Sequence, residues 1–110
     1  MRFMRRLVIV IAFASSVMAP AAFAQPLDPA AHGLLLVRQN CGACHAVGRR
    51  GSSPHRAAPP FRILGRSFDL DDFSRRLVRG LSAMHPDMPE IRFTEDDARD
   101  VRAYLRAIQE

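Results

Sequence analysis

Residues 41–45 read Cys-Gly-Ala-Cys-His, and nothing else in the 110-residue chain constrains its fold as strongly. On one helical turn, residues i and i+3 share a face. Cys41 and Cys44 are so spaced, and both thiols can reach the two vinyl groups along one edge of a haem to form thioethers. His45, adjoining, then meets the iron from the same side as its proximal ligand. These are the only two cysteines, so no disulfide framework competes for them. The cofactor this pattern implies is one covalent haem c, a large apolar plate around which short helices pack.

A bare C-x-x-C admits other chemistry. A thioredoxin-type dithiol places its first thiol at a helix N-terminus with a lowered pKa, but its usual βαβ setting is not evident here. Half of a zinc site is a second option. A closed structural site needs four ligands, and His32, His55 and His85 fall at irregular spacing. A plain structural disulfide followed by a chance histidine is the third.

The N-terminus predicts export. Arg2, Arg5 and Arg6 form a basic start, Leu7 to Ala19 is apolar or small, and Ala22-Phe23-Ala24 precedes Gln25-Pro26. This is the anatomy of a cleaved signal peptide, residues 1–24, ahead of one domain at 25–110. An uncleaved membrane anchor is the alternative, although the apolar run is short for a span and Pro20 interrupts it. The expected location is the periplasm, an oxidising compartment where an unattached thiol pair would tend to close. The formal charge of +5 falls to +2 in the domain, because three of the sixteen arginines precede Gln25 and all eleven acids follow it. There is no lysine and no aromatic-interleaved basic tract, so nucleic acid is not an expected partner.

Within the domain the periodicity is helical. Asp28-Pro29 opens a first helix as N-cap and first-turn proline. Ala30, Leu34, Val37 and Cys41 continue it at helical spacing. Gly33, a poor helix former, suggests close approach of another helix. Residues 46–67 show no sustained period and are rich in Gly, Ser and Pro, which predicts an irregular loop. That loop holds Arg49, Arg50, Arg56, Arg62 and Arg66 and no acid. It is either a solvated face or a set of partners for haem propionates or an acidic protein. A second helix is expected from about Asp69 to Arg79, striped by Leu70, Phe73, Leu77 and Leu81 and stopped by Gly80. A last helix starts at Thr94, where Thr94 and Asp97 resemble a capping box. Val101, Tyr104, Leu105 and Ile108 occupy one of its faces, and Glu95, Asp96 and Asp97 suit its first turn. No segment reads as a strand.

A glycine-bearing helix running into Cys41-x-x-Cys44-His45, a Pro-rich loop, a helix, Met88-Pro89 and a final helix bearing Tyr104 resemble a class I cytochrome c of the small bacterial periplasmic kind. The resemblance covers about Ala30 to Ile108. It implies an all-α fold, three to four short helices packed around one covalently bound haem. It also implies His45 as proximal and Met88 as distal iron ligand. Met84 and His85 lie in the same loop as alternatives outside the Met-Pro pattern. The carbonyl of Pro59, or of Pro60, would hold the His45 ring. Gly33 would face Tyr104 where the first and last helices cross.

The function expected is electron transfer, with no enzymatic activity. Histidine–methionine ligation fills both axial positions and raises the reduction potential. The expected partners are a redox donor and acceptor, acidic or membrane-bound, and the expected state is a monomer. The alternatives are a dedicated haem subunit of a larger dehydrogenase or oxidase, a haem peroxidase, or a dithiol oxidoreductase.

Overall fold

A computed structural model describes residue 15 and residues 17–81 and 86–110. Most of the proposed signal segment, together with Met84 and His85, lies outside the described residues. Among the described residues the fold is all-α, with three α-helices and one short 3-10 helix. They run α1 (Pro29–Cys41), the 3-10 helix (Phe61–Arg66), α2 (Leu70–Arg79) and α3 (Glu95–Ile108).

Each α-helix begins where its sequence supplies an acceptor for orphan amides. The Asp28 carboxylate accepts from Ala31 N at 3.2 Å, Asp69 from Asp72 N at 2.8 Å and the Thr94 hydroxyl from Asp97 N at 3.1 Å. Gly80 ends α2 with φ of 105°, a conformation that side-chain-bearing residues avoid. Leu81, expected on the α2 stripe, instead lies just beyond that helix. It forms an isolated antiparallel bridge with Ile91, whose two hydrogen bonds of 2.8 and 3.1 Å close the loop carrying Met88.

The core lies where α1, α2 and α3 meet. Val37, Val101 and Leu105 are fully buried, joined by Phe61, Leu64, Leu77 and Ile108. Burying each such side chain contributes about 1.5–3 kcal/mol. Ser74, polar and buried, is satisfied by donating to Ala98 O at 3.0 Å. Beside the α1–α3 crossing, His32 Nδ1 and Asp100 Oδ2 are 2.8 Å apart.

Two expectations need correction. Gly33 does mark a helix crossing, but it meets the backbone of Asp100 and Val101 rather than Tyr104. A Cβ there would collide with the Asp100 carbonyl oxygen and lie 2.9 Å from Val101 N. Tyr104, one turn further on, instead donates to Val47 O at 2.5 Å. Its burial raises the phenol pKa against the weaker pull of Arg38 and Arg49. The span 46–67 is not wholly irregular either. Phe61 and Leu64 are buried three residues apart on the 3-10 helix, whose period of three eclipses i and i+3.

Candidate haem site

The five-residue motif straddles the end of α1. Cys41 is the last helical residue, and Gly42 follows in helical conformation, with φ of −66° and ψ of −17°. The amides of Cys44 and His45 both donate to Cys41 O, at 3.2 and 2.9 Å. The chain thus keeps winding past the helix end. This winding carries the two thiols and the imidazole to the wall of one crevice.

The crevice consists of two adjoining clefts of about 760 and 1040 Å³, measured out to where they open to solvent. Cys41, His45, Pro59, Met88 and Ile91 line both. The outer cleft adds Cys44, Ala43 and Ala57 among others. The inner one adds core side chains such as Phe61, Leu77 and Val101. The four sequence-derived site residues, Cys41, Cys44, His45 and Met88, are therefore brought together along this crevice.

His45 is oriented twice. Its Nδ1 lies 2.8 Å from Pro59 O, and Phe61 packs on the ring with centroids 4.8 Å apart and planes tilted by 40°. Of the two prolines open in the sequence, Pro59 is the one that partners the ring. With Nδ1 donating to a carbonyl, Nε2 is left as the metal-binding nitrogen. Cys41 and Cys44 are free thiols, and burial pushes Cys41 up to about 11. A redox-active dithiol has the opposite property, a first cysteine with lowered pKa.

The residues therefore fit a haem c. Two thiols at i and i+3, an imidazole with one nitrogen already engaged, a thioether and mainly apolar walls converge on one crevice. Cys41 and Cys44 would hold the group covalently, and His45 and Met88, which line both clefts, would be the candidate iron ligands.

The loop arginines do not line either cleft. Arg49 donates to Ala107 O at 2.8 Å, Arg62 to Gly51 O at 2.8 Å and Arg66 to Glu110 O at 3.5 Å. Arg49 and Arg66 thereby bind carbonyls at and just beyond the end of α3, where the helix dipole is negative. The arginine that does reach the inner cleft is Arg76 of α2. Its Nε lies 2.7 Å from Asp72, and this hydrogen bond holds the Asp72 carboxyl below its ordinary value. Arg76 was missed in the sequence because it sits on the polar side of an amphipathic pattern. His55 and Asp87 were missed too. Both line the outer cleft, with His55 Nε2 3.3 Å from Asp87 Oδ2.

A sequence model of the cytochrome c family matches residues 30–109. The chain is also similar to the cytochrome c-552 of Bradyrhizobium diazoefficiens, at 29% identity over 106 residues, covering 96% of this chain and 95% of that protein. No solved structure matches significantly. A match running from the first helix to the last, on a fold whose crevice suits covalent haem c, makes the protein a haem-carrying electron-transfer protein that belongs to the cytochrome c family.

Proposed function

We propose that the protein is an exported, non-enzymatic electron carrier whose haem iron is bound by His45 and Met88. The observation that carries this reading is the shared lining of both clefts by Cys41, His45 and Met88, with His45 Nδ1 already committed to Pro59 O.

Bound haem supplies one-electron exchange at its iron. The chain's own residues do the rest. The Pro59 carbonyl holds the His45 ring and strengthens it as a donor. Met88 offers a soft thioether that, bound to the iron, would favour the reduced state and disfavour substrate binding there. The apolar inner wall excludes water, so ligands and dielectric change little between oxidation states.

Export is supported by the described part of the leader. Residues 17–28 carry no regular structure, and Val17, Met18 and Phe23 are each about nine-tenths exposed. None of the described residues ahead of the Asp28 cap belongs to the core. Among the described residues, no helix is long and apolar enough to cross a membrane.

A mass and an absorption spectrum of the exported protein test this function. The expected mass is the chain from Gln25 plus one haem. The expected oxidised spectrum is low-spin with a weak sulfur–iron band. A bare chain with a Cys41–Cys44 disulfide, or a high-spin haem that binds cyanide at once, would sink the proposal.

Of the five loop arginines, Arg50 and Arg56 are the pair best placed to steer docking. All three of Arg49, Arg50 and Arg56 are exposed, but the Arg49 guanidinium is held to α3, and Arg56 sits between His55 and Ala57 at the outer cleft. Exposed charge near a crevice steers encounters, and salt screens it. Changing both Arg50 and Arg56 to Glu is expected to slow oxidation by ferricyanide, an anion, about threefold or more at low salt, within the range of such steering. The haem spectrum should not change. Stopped-flow rates across ionic strength check this; an unchanged rate and salt slope would make both residues mere solvated surface.

A further inference from the structure

We propose that Gln109 is a positioning residue for the proximal imidazole: the last residue but one sets the hydrogen bond that His45 makes to Pro59. The inference rests on the reading of His45 as iron ligand.

One amide side chain joins two elements here. Gln109 follows Ile108, which is buried and anchors the end of α3. Its Nε2 donates to Leu105 O and to Phe61 O, both at 2.9 Å. Its Oε1 accepts from Gly65 N at 2.6 Å. The 3-10 helix is therefore held near both its ends by a single residue. Glu110 N adds a bond to Arg62 O at 3.0 Å.

Phe61 passes this restraint to the haem crevice. Its carbonyl is taken by Gln109, and its amide donates to Ala46 O at 2.9 Å, next in sequence to His45. Its ring packs on the His45 ring. Pro59, whose carbonyl partners His45 Nδ1, lies two residues ahead. Proline stiffens this stretch by fixing φ at residues 59 and 60, so displacement of Phe61 is carried back to the Pro59 carbonyl. Partners of a metal-bound histidine fix its orientation and raise its basicity. A stronger imidazole donor stabilises the oxidised iron. Loss of Gln109 should therefore weaken the Nδ1–H bond and favour reduction.

The experiment uses the haem-loaded protein with Gln109→Ala, Gln109→Glu and Gly65→Ala. Gln109→Glu keeps the acceptor for Gly65 N and removes the donor to Phe61 O. Gly65→Ala leaves Gln109 unchanged but places a Cβ 2.8 Å from its Oε1, so the flexible side chain must shift. Three quantities are measured: reduction potential, solvent exchange of the His45 Nδ1–H in the reduced protein, and thermal stability. The expected result for Gln109→Ala and Gln109→Glu is faster Nδ1–H exchange, by several-fold, and an upward change in the reduction equilibrium of about threefold to tenfold. Tenfold is 59 mV for a one-electron couple. Gly65→Ala should move both in the same direction, and combining it with Gln109→Ala should add little further, because both break one contact.

If Gln109 only stabilises the fold, its variants would lower the melting temperature and leave potential and proton exchange where they were. That outcome overturns the proposal. Should Gln109→Ala fail to fold, Gln109→Glu and Gly65→Ala decide by the same two readouts. Failure of the ligand reading looks different: His45→Ala would then leave the spectrum of the haem unchanged, whatever the Gln109 variants do.

Discussion

Gly33→Ala is expected to destabilise the haem-loaded protein by at least about 3 kcal/mol, the upper end of ordinary overpacking. The reason is what the new methyl would meet. It would collide with the Asp100 carbonyl oxygen and come within 2.6 Å of the carbonyl carbon behind it. Both atoms are backbone and have no rotamer to escape into. Relief requires α1 and α3 to move apart, and that opens the packing of Val37, Val101 and Leu105. For a domain of this size, 1 kcal/mol shifts the melting temperature by about 4–8 °C, so a fall of about 12 °C or more is expected. Gly48→Ala is the control. A Cβ there meets nothing within 4 Å, and such a surface change should stay within about 0.5 kcal/mol. Thermal unfolding followed by circular dichroism measures both. A Gly33→Ala protein melting within a few degrees of the parent would show that the two helices are not pressed together at this point.

Met88→Ala is expected to abolish the sulfur–iron band of the oxidised protein and lower the potential by on the order of 0.1 V or more, since axial ligands set haem potentials over about 0.8 V. The thioether favours reduced iron, and without it water or an added ligand reaches the metal. The fold should survive better than in the Gly33 variant. Met88 is only partly buried, and its loop is closed independently by the Leu81–Ile91 bridge. Met84→Ala is the paired control and should leave band and potential nearly unchanged. Should the band vanish on changing Met84 and persist on changing Met88, the ligand is Met84 and the cleft lining at Met88 is only packing. Electrochemistry and optical spectra of the two variants separate these outcomes.

What could be read from the chain alone was set by interactions within a few residues. The thiol spacing at 41 and 44, the caps at Asp28 and Thr94, and the stop at Gly80 involve neighbours at most four positions apart. The apolar face of α3 followed from periodicity, and Val101, Tyr104, Leu105 and Ile108 are all buried. The 3-10 helix escaped because six residues with two buried side chains give too little period to stand out among prolines and glycines. The arginines between residues 49 and 66 could be read only as a solvated face or an acid-seeking one; that Arg49, Arg62 and Arg66 bind backbone carbonyls was not legible, since charge composition carries no information about such partners. Tertiary structure alone decided which proline carbonyl partners His45, which backbone Gly33 meets, that Arg49 binds α3, and that Gln109 holds both ends of the 3-10 helix. Each of these contacts joins residues 14 or more positions apart. Nothing local selects between Pro59 and Pro60, or marks one amide near the C-terminus. Only the crossing of α1 and α3, made close by a missing side chain at Gly33, brings the end of the chain back to the residues that orient His45.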